Sequence, residues 1–479
     1  MSTPASGPHD RYHRFWEQLH AVQQVHAALH PATTLLVEPP EATPGSGIAP
    51  RYVYEARAAL IREADMPAVR PHLHAAVPEV DSGTPGVRKF LLDPGLHVPT
   101  EVARLNRVSR AGGPDHGRPA GPMATPSHLV SIAPVNLCPA GEPRPVPPVT
   151  PLWPYPHHRL ARPGAAQPAA GSHLAPGTGV SVLVIDTGFQ PDAAAAHPAL
   201  AGVSLIASEP PRVATDPGTG VIKEYAGHGT FVTGVLRSVA PGTQVTVSSA
   251  LQNAGAILEG DLGGAILKAL DAVAVNGRWP DIISLSAGAT SQDNQELITL
   301  APLFERLATD KADTVLIAAA GNDGTSEHLF WPAASAPTRP GVISVGALRR
   351  DGRGRACFSN HGDWVTVYAY GEQIINYFLT GFYADQHDST PACRYYSPPL
   401  YPDCGCVQPA TSYGEVVYFD GLASWSGTSF ATPLVAGLVA AHMTATGQTS
   451  ARTAAHDLLS RAARTITDTS DQEKLLALR

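Results

Sequence analysis

Ser426-Gly427-Thr428-Ser429-Phe430-Ala431-Thr432-Pro433 runs straight into the apolar helical pattern Leu434, Val435, Gly437, Leu438, Val439. Small residues crowd the turn and a helix follows at once. The unpaired backbone N–H groups of the first helical turn therefore converge beside the hydroxyl of Ser429, which sets a nucleophile into an anion-binding helix start. Two other segments complete the arrangement. Val182-Leu183-Val184-Ile185-Asp186-Thr187-Gly188 is a buried strand ending in a carboxylate, and Gly227-His228-Gly229-Thr230 places a histidine between glycines at a helix start. In chain order the three polar residues are Asp186, His228 and Ser429.

A serine hydroxyl is a poor nucleophile at neutral pH and needs a base within hydrogen-bond reach, with a further group to orient that base. His228 is the candidate base, taking the Ser429 proton and later returning it to a leaving amine. Asp186 is the candidate that holds the histidine tautomer and stabilises the imidazolium. The glycines around His228 fit close backbone approach, where a side chain at Gly227 or Gly229 would block substrate or serine. Taken singly, Asp186 reads as a turn former, His228 as a helix N-terminal residue and Ser429 as an N-cap.

Together they read differently. The order Asp, His, Ser, with Asp-Thr-Gly, Gly-His-Gly-Thr and Gly-Thr-Ser-x-Ala-x-Pro in place, resembles the subtilisin-like serine peptidases, or subtilases. Each short motif is weak by itself; three in this order are a strong signal. The resemblance covers the part of the chain from about Gly179 onward, where apolar strands alternate with helical stretches as a parallel α/β sheet requires.

The resemblance implies further site residues. Val315-Leu316-Ile317-Ala318-Ala319-Ala320-Gly321-Asn322 is a buried strand ending in an amide, where the family places its oxyanion donor. Asn322 and the Ser429 N–H are thus the expected oxyanion hole, with Thr428 in a supporting role. Leu285-Ser286-Ala287-Gly288 resembles the family strand that pairs with the substrate backbone and forms one wall of the P1 pocket; Ala318, Ala319 and Ala320 form the other. Backbone pairing lets such enzymes accept varied sequences. Small residues on both walls leave room for a large apolar P1 side chain, while the pocket floor is not identifiable. Trp331-Pro332 resembles a family site that can hold a cis peptide.

Two departures from the family pattern stand out. Phe231 replaces a frequent second histidine and Thr233 a small alanine, changes that touch helix packing and not the proton path. Between Val235-Leu236-Arg237 and Val239-Ala240-Pro241-Gly242 there is no room for the calcium-holding loop of well-known members.

With 479 residues and 43% hydrophobic content the chain is long enough for one large domain plus a smaller one. The net charge of -8 comes with no long basic run, which argues against nucleic acid as a partner. No window approaches the uninterrupted apolar length of a membrane span, so no membrane is expected. Arg11, His13, Arg14, Glu17 and His20 interrupt any secretory signal, and the expected location is the cytoplasm. Five cysteines make no disulfide framework. Cys393, Cys404 and Cys406, with His387 nearby, lack paired Cys-x-x-Cys spacing, so no metal site is expected, and no cofactor. Cys357 and Cys138 read as packing residues.

The organisation read from the sequence has four parts. Residues 1–110 form an α+β region, accessory or propeptide-like, with helices at Arg11 to Leu29 and Tyr52 to Glu63 and a strand at Thr33 to Glu38. Residues 111–175 are Pro- and Gly-rich and read as an extended surface linker, with one apolar island at Leu129 to Leu137. Residues 176–470 form the peptidase domain, in which 381–418 looks like an insertion. Residues 471–479 are a tail. Within the peptidase domain the expected strands are Val180–Ile185, Gln244–Ala250, Asp281–Ser286, Thr314–Ala320, Val342–Val345 and Trp364–Tyr368. The expected helices follow His228, cover Leu258–Asn276 and Asn294–Lys311, follow Ser429, and run from Ala451 to Arg464.

The expected fold is therefore α/β, a mostly parallel subtilisin-like sheet flanked by helices behind a smaller N-terminal region. The expected activity is serine endopeptidase hydrolysis of a protein or peptide substrate. Two alternatives are a subtilase-type peptide ligase or macrocyclase, and a non-catalytic peptide-binding module.

Overall fold

Antiparallel strands come first along the chain and parallel ones later, and the two sheets meet beside the Ser429 region. In the computed structural model, residues 12–31, 33–73, 78–111, 122–132, 142–154, 179–209, 213–384 and 416–479 are described. The N-terminal region contains α1 (His13–Leu29), β1 (Leu35–Glu38), β2 (Tyr52–Arg62), the short α2 (Met66–Val69), β3 (Glu79–Asp81), β4 (Val87–Leu91), α3 (Val98–Ala111) and β5 (Ala124–Ser131). Its antiparallel sheet runs β5, β2, β4, β3, with β1 also on β2. Phe15, Leu19 and Val22 of α1 face inward onto Leu35 and Val53, while Val25 stands exposed.

The helix expected from Tyr52 to Glu63 is instead the long strand β2. Tyr52, Ala56, Ala59 and Leu60 do recur at helical spacing, and alanine favours helix. Both faces of this segment are buried, however, so its apolar pattern carries no strand alternation and burial between partners sets the conformation. Arg57 takes a left-handed backbone (φ +69°) at the register shift between Tyr54 and Ala59, which marks a bulge.

The expected linker is also corrected. Ala124–Ser131 of β5 is a buried strand between β2 and a later strand, so this Pro-containing stretch does not lie over the surface. Residues 142–154 then dock on the following domain: Arg144–Pro145 (β6) pairs with Ser424 and Ala423, and Trp153 bridges to Ile375. The rest of the linker, including residues 133–137 of the apolar island and Cys138, lies outside the described residues.

The second sheet has nine strands in the order β17-β18-β14-β13-β12-β11-β7-β9-β8. Its elements are β7 (Ser181–Ile185), α4 (Pro191–Ala196), β8 (Ser204–Leu205), α5 (His228–Val239), β9 (Gln244–Ser248), α6 (Gln252–Gly255), β10 (Ala256–Leu258), α7 (Glu259–Val273), β11 (Ile282–Leu285), α8 (Ala301–Ala308), β12 (Val315–Ala319), β13 (Val342–Leu348) and β14 (Val367–Tyr370). The hairpin β15 (Ile374–Ala384) and β16 (Val416–Trp425), which forms a separate three-stranded antiparallel sheet with β6, the helices α9 (Thr428–Thr446) and α10 (Ala451–Ala462), and the strands β17 (Arg464–Thr467) and β18 (Lys474–Ala477) complete the domain. Strands β7, β9 and β11 to β14 pair in parallel and are largely buried on both faces, hence their apolar runs, while the two-residue β8 adds an exposed parallel edge to β9. β10 leaves this sheet and pairs antiparallel with β5, joining the two regions.

Three boundaries differ from expectation. The helix expected over Asn294–Lys311 begins only at Ala301, because Pro302 lacks an N–H and fits only a first helical turn. The residues expected as a tail form β18, which pairs with β14 through Tyr368 and Ala477 and buries Leu475, Ala477 and Leu478. The two ends of the expected insertion at 381–418 belong to β15 and β16, while residues 385–415, with His387, Cys393, Cys404 and Cys406, lie outside the described residues. Cys357 is buried as a packing residue. α9 has the length and apolarity of a membrane-crossing helix, yet 72% of its apolar window is buried inside the fold.

Candidate active site

Asp186 follows β7, His228 opens α5 and Ser429 is the second residue of α9, so three distant segments bring their polar ends to one sheet edge. That carboxyl edge is where open α/β sheets bind ligands. Asp186 is fully buried, and its Oδ1 accepts from the Thr187 N–H (2.7 Å) and from Nδ1 of His228 (2.7 Å). A carboxylate partner places the proton on Nδ1 and leaves the Nε2 lone pair for a second partner. The imidazole is wedged between Trp425 (ring centroids 5.2 Å, 89°) and Phe430 (5.4 Å). Phe430 is the residue after Ser429, so the nucleophile and the imidazole share this packing.

The Ser429 hydroxyl donates to the carbonyl oxygen of Ser286 (3.2 Å), and among the described residues it makes no hydrogen bond to His228. The return contact explains a motif residue. Pro433 has no N–H to give to the carbonyl four residues earlier, so the Ser429 carbonyl is left open inside α9. The Ser286 hydroxyl fills it, donating at 2.8 Å. The proline of Gly-Thr-Ser-x-Ala-x-Pro thus frees a backbone acceptor through which Ser286, just beyond β11, fixes the start of α9.

Asn322 is oriented by Thr428. Its Oδ1 accepts from the Thr428 N–H (2.8 Å) and hydroxyl (2.9 Å), and the same hydroxyl accepts from the Gly321 N–H (3.1 Å). With Oδ1 committed, Nδ2 turns toward the nucleophile. A Cβ built on Gly427 would lie 3.6 Å from both Asn322 Nδ2 and the Ser429 backbone nitrogen, so the two donors converge on one small space.

The glycines around His228 do permit close approach, as expected, and the groups that approach belong to the protein itself. A Cβ on Gly227 would fall 2.2 Å from the Phe378 ring, and one on Gly229 would fall 2.2 Å from the Gly188 carbonyl oxygen and 3.1 Å from Asp186 Oδ1. They make room for packing beneath the imidazole, not for substrate. Phe231 joins that packing against Phe430 (4.7 Å) and Trp425 (5.7 Å), and the Thr233 hydroxyl donates to the Gly229 carbonyl (2.7 Å). α5 runs unbroken from His228 to Val239.

Leu285, Ser286, Ala287 and Gly288 continue β11 to the site, facing Ala318, Ala319 and Ala320 at the end of β12, and all are buried or nearly so. Phe330, invisible to motif reading, packs against the ends of both strands: a Cβ on Gly288 or Gly321 would run into its ring at 2.4 or 2.8 Å. The Trp331–Pro332 bond is cis, as expected, and so are Glu38–Pro39 and Trp153–Pro154. Among the described residues no group of three or more His, Cys, Asp or Glu side chains is arranged to hold a metal ion.

The edge expected to bind substrate is occupied by a strand of the same chain. Ser131, the last residue of β5, donates its N–H to the Gly288 carbonyl (2.9 Å) and accepts from the Gly288 N–H (3.1 Å). On its other side, residues 129–131 pair with 258–256 of β10, and the Ile132 N–H reaches the Gly255 carbonyl (3.0 Å). Beyond that strand a buried carboxylate, Glu142, accepts from the Tyr225 hydroxyl (3.4 Å) and from the Tyr383 hydroxyl. Tyr225 also receives the Gln18 amide from α1, and its carbonyl accepts from the His228 N–H (3.0 Å).

A carboxylate-held imidazole, a helix-start hydroxyl and two converging N–H donors on one edge of a parallel sheet are the equipment of a serine-type hydrolase. The model described as "Subtilase family" matches residues 177–476, well over half of the chain, and the chain belongs to the subtilase family. A "Thermophilic serine proteinase" of Bacillus sp. (strain AK1) is 30% identical over 217 residues, 43% of this chain and 47% of the relative. An "Intracellular serine protease" of Paenibacillus polymyxa is 31% identical over 225 residues, 43% of this chain and 61% of the relative. The chain thus spans about half the length of such curated relatives. A solved "cold adapted subtilisin-like serine proteinase" is 21% identical with a TM-score of 0.41, covering 63% of this chain and 88% of that one.

Proposed function

We propose that this chain is a serine endopeptidase that hydrolyses peptide bonds through Asp186, His228 and Ser429, and that its N-terminal region is a built-in inhibitor. The observation that carries the first part is the buried Asp186–His228 bond of 2.7 Å, set beside a helix-start serine whose N–H and the Asn322 amide face one small space. Substrate arriving on the Gly288 edge puts its carbonyl oxygen in that space. The Ser429 hydroxyl then turns from the Ser286 carbonyl to His228 Nε2, a small movement of the kind that completes catalytic geometry only with substrate bound.

Oγ attacks the carbonyl carbon as Nε2 takes its proton. The negative charge forms on an oxygen held by the two donors, and Asp186 stabilises the imidazolium. When the C–N bond breaks, the proton passes from Nε2 to the leaving amine, and an ester to Ser429 remains. Water enters on the vacated side, gives a proton to Nε2 and a new bond to the carbonyl carbon, and its product acid leaves with Ser429 restored.

The observation that supports the second part is Ser131, whose N–H and carbonyl are both hydrogen-bonded to Gly288, on the edge where substrate has to lie. Two buried attachments hold the N-terminal region on α7: the His128–Glu259 pair from β5 (2.6 Å), and Thr84, between β3 and β4, accepting from the Gly264 N–H (2.9 Å). The test is incubation of the purified chain with a peptide substrate, with and without an added amine. Hydrolysis gives the free acid in both cases; predominance of the amide product assigns the chain to acyl transfer instead. Amino-terminal sequencing of the same sample tests the inhibitor: activity that appears only with shortening supports it, and full activity with residues 12–132 docked on the unshortened chain contradicts it.

A further inference from the structure

We propose that residues 142–154 are a permanent clamp on the catalytic machinery, kept by the working enzyme when the N-terminal region is removed, and that Glu142 and Trp153 are positioning residues for His228 and Ser429. The proposal rests on the peptidase reading above and deepens it, because these residues lie ahead of the stretch 177–476 that matches the family.

The clamp closes around the strands that lead to the nucleophile. Ile375 of β15 stands opposite Ser424 of β16, five residues before Ser429. Arg144 of β6 pairs with Ser424 from one side. From the other, Trp153 exchanges two backbone hydrogen bonds with Ile375, at 2.9 and 3.0 Å. One short segment thus lies on both edges of the hairpin at the same rung, in the order Arg144, Ser424, Ile375, Trp153. The next rung pairs Ile374 with Trp425, whose ring packs against the His228 imidazole.

The Trp153 side chain reaches the same loop by a second route. It packs on Tyr370 (ring centroids 5.6 Å) and lies beneath the Arg350 guanidinium (5.4 Å). Tyr370 ends β14, and the turn that follows holds the residues just ahead of the nucleophile. The Gly371 carbonyl accepts from the Gly427 N–H (2.8 Å), and the Gln373 N–H donates to the Ser426 hydroxyl (2.8 Å).

The other end of the clamp reaches the base. Glu142 is buried, as are the two tyrosines whose hydroxyls it accepts from, Tyr383 of β15 and Tyr225 (3.4 Å). Tyr225 has φ +59°, a left-handed backbone that a bulky residue keeps only where its surroundings fix it. Its carbonyl accepts from the His228 N–H (3.0 Å) and from the Thr187 hydroxyl (3.0 Å), and the Thr187 N–H donates to Asp186. The Tyr225 carbonyl is therefore one corner of a hydrogen-bonded ring that contains the Asp186–His228 pair. Gln18 of α1 donates to the same tyrosine hydroxyl. Gln18 departs with the N-terminal region; Glu142 stays and keeps Tyr225 in place.

The experiment is fluorophosphonate labelling of Ser429 in the full chain, timed well below the melting temperature, in Glu142→Ala, Trp153→Ala and Trp153→Phe. Displacing a catalytic group by about 1 Å costs on the order of 100-fold in rate, so each alanine variant is expected to label roughly 10- to 100-fold more slowly than the wild type, and Trp153→Phe, which keeps a ring on Tyr370, within about 3-fold of it. A merely structural role lowers the melting temperature and leaves labelling below it unchanged; wild-type labelling rates in both alanine variants overturn the proposal. A second measurement needs no variant: amino-terminal sequencing of any shortened, active form of the wild-type chain. Its first residue is expected at or before Glu142, and an active form that begins beyond Glu142 overturns the proposal while leaving the peptidase reading intact. A wild-type chain that never labels at Ser429 and cleaves no peptide defeats the peptidase reading itself, and the clamp with it.

Discussion

The parallel sheet around β7, β11 and β12 and the antiparallel sheet around β2 and β5 differ in what holds each in shape. Strands of the first are covered by helices of their own domain, and their sequences are continuous apolar runs ending in functional residues. Strands of the second are covered partly by the other domain. β5 has β2 on one side and β10 on the other, and its buried His128 is paired with Glu259 of α7. The first sheet is therefore built for chemistry at its edge, and the second is built to sit on that edge.

The comparison is sharpened most by removing the nucleophile or the base. Ser429→Ala or His228→Ala is expected to lower kcat by about a millionfold, because the two act as one unit. Measured on a peptide substrate, a loss of less than about 1000-fold would assign the chemistry to other residues. Ser429→Ala should unfold at the temperature of the wild type, whereas His228→Ala should unfold lower, because it leaves the buried Asp186 carboxylate without its imidazole partner.

The converse change breaks the other region. His128→Ala takes the ring N–H away from the buried Glu259 carboxylate and the ring acceptor away from the Gln292 N–H (3.1 Å), at a cost of about 1–3 kcal/mol. Both groups are almost wholly buried, so little of this is screened. The expected result is loosened docking of residues 12–132, read as faster amide exchange in β5, with the hydrogen bonds of β11 and β12 still protected. Equal protection in both sheets would contradict the separation drawn here.

The difference between the regions also explains what the sequence disclosed. Val182–Ile185 before Asp186 and Val315–Ala319 before Asn322 were readable because a strand buried on both faces needs only an apolar run. Asp186, His228 and Ser429 were readable because each sits in a short motif whose glycines and proline have local reasons. β2 was not: its alanines mimic a helix, and only burial by partners far away in the chain makes it a strand. Ala124–Ser131 was hidden by the prolines around it, and Lys474–Ala477 by its shortness and its place at the end. Phe330 and Phe378 carry no motif at all; the signal for them was the glycines whose missing side chains they replace. Pro433 did hold a message, since a proline four residues after Ser429 announces an open carbonyl that some donor has to fill.

Two smaller effects follow from the same sheet edge. Asn322→Ala is expected to lower kcat by roughly 100- to 1000-fold with little change in KM, because the amide meets charge only in the transition state. A rise in KM with kcat unchanged would make Asn322 a substrate-binding residue instead. Ser286→Ala strands the Ser429 carbonyl that Pro433 leaves open, and an unsatisfied buried acceptor costs about 1–3 kcal/mol. Denaturant titration should register that loss, with a smaller fall in kcat as the start of α9 loosens; an unchanged midpoint would remove the role given to this bond.

The most direct test of the account is fluorophosphonate labelling with the adduct mapped to its residue. The account predicts a single adduct on Ser429, formed slowly in the full-length chain, lost in Ser429→Ala, and strongly reduced in His228→Ala. An adduct elsewhere, or equal labelling of Ser429 with and without the imidazole of His228, would contradict it.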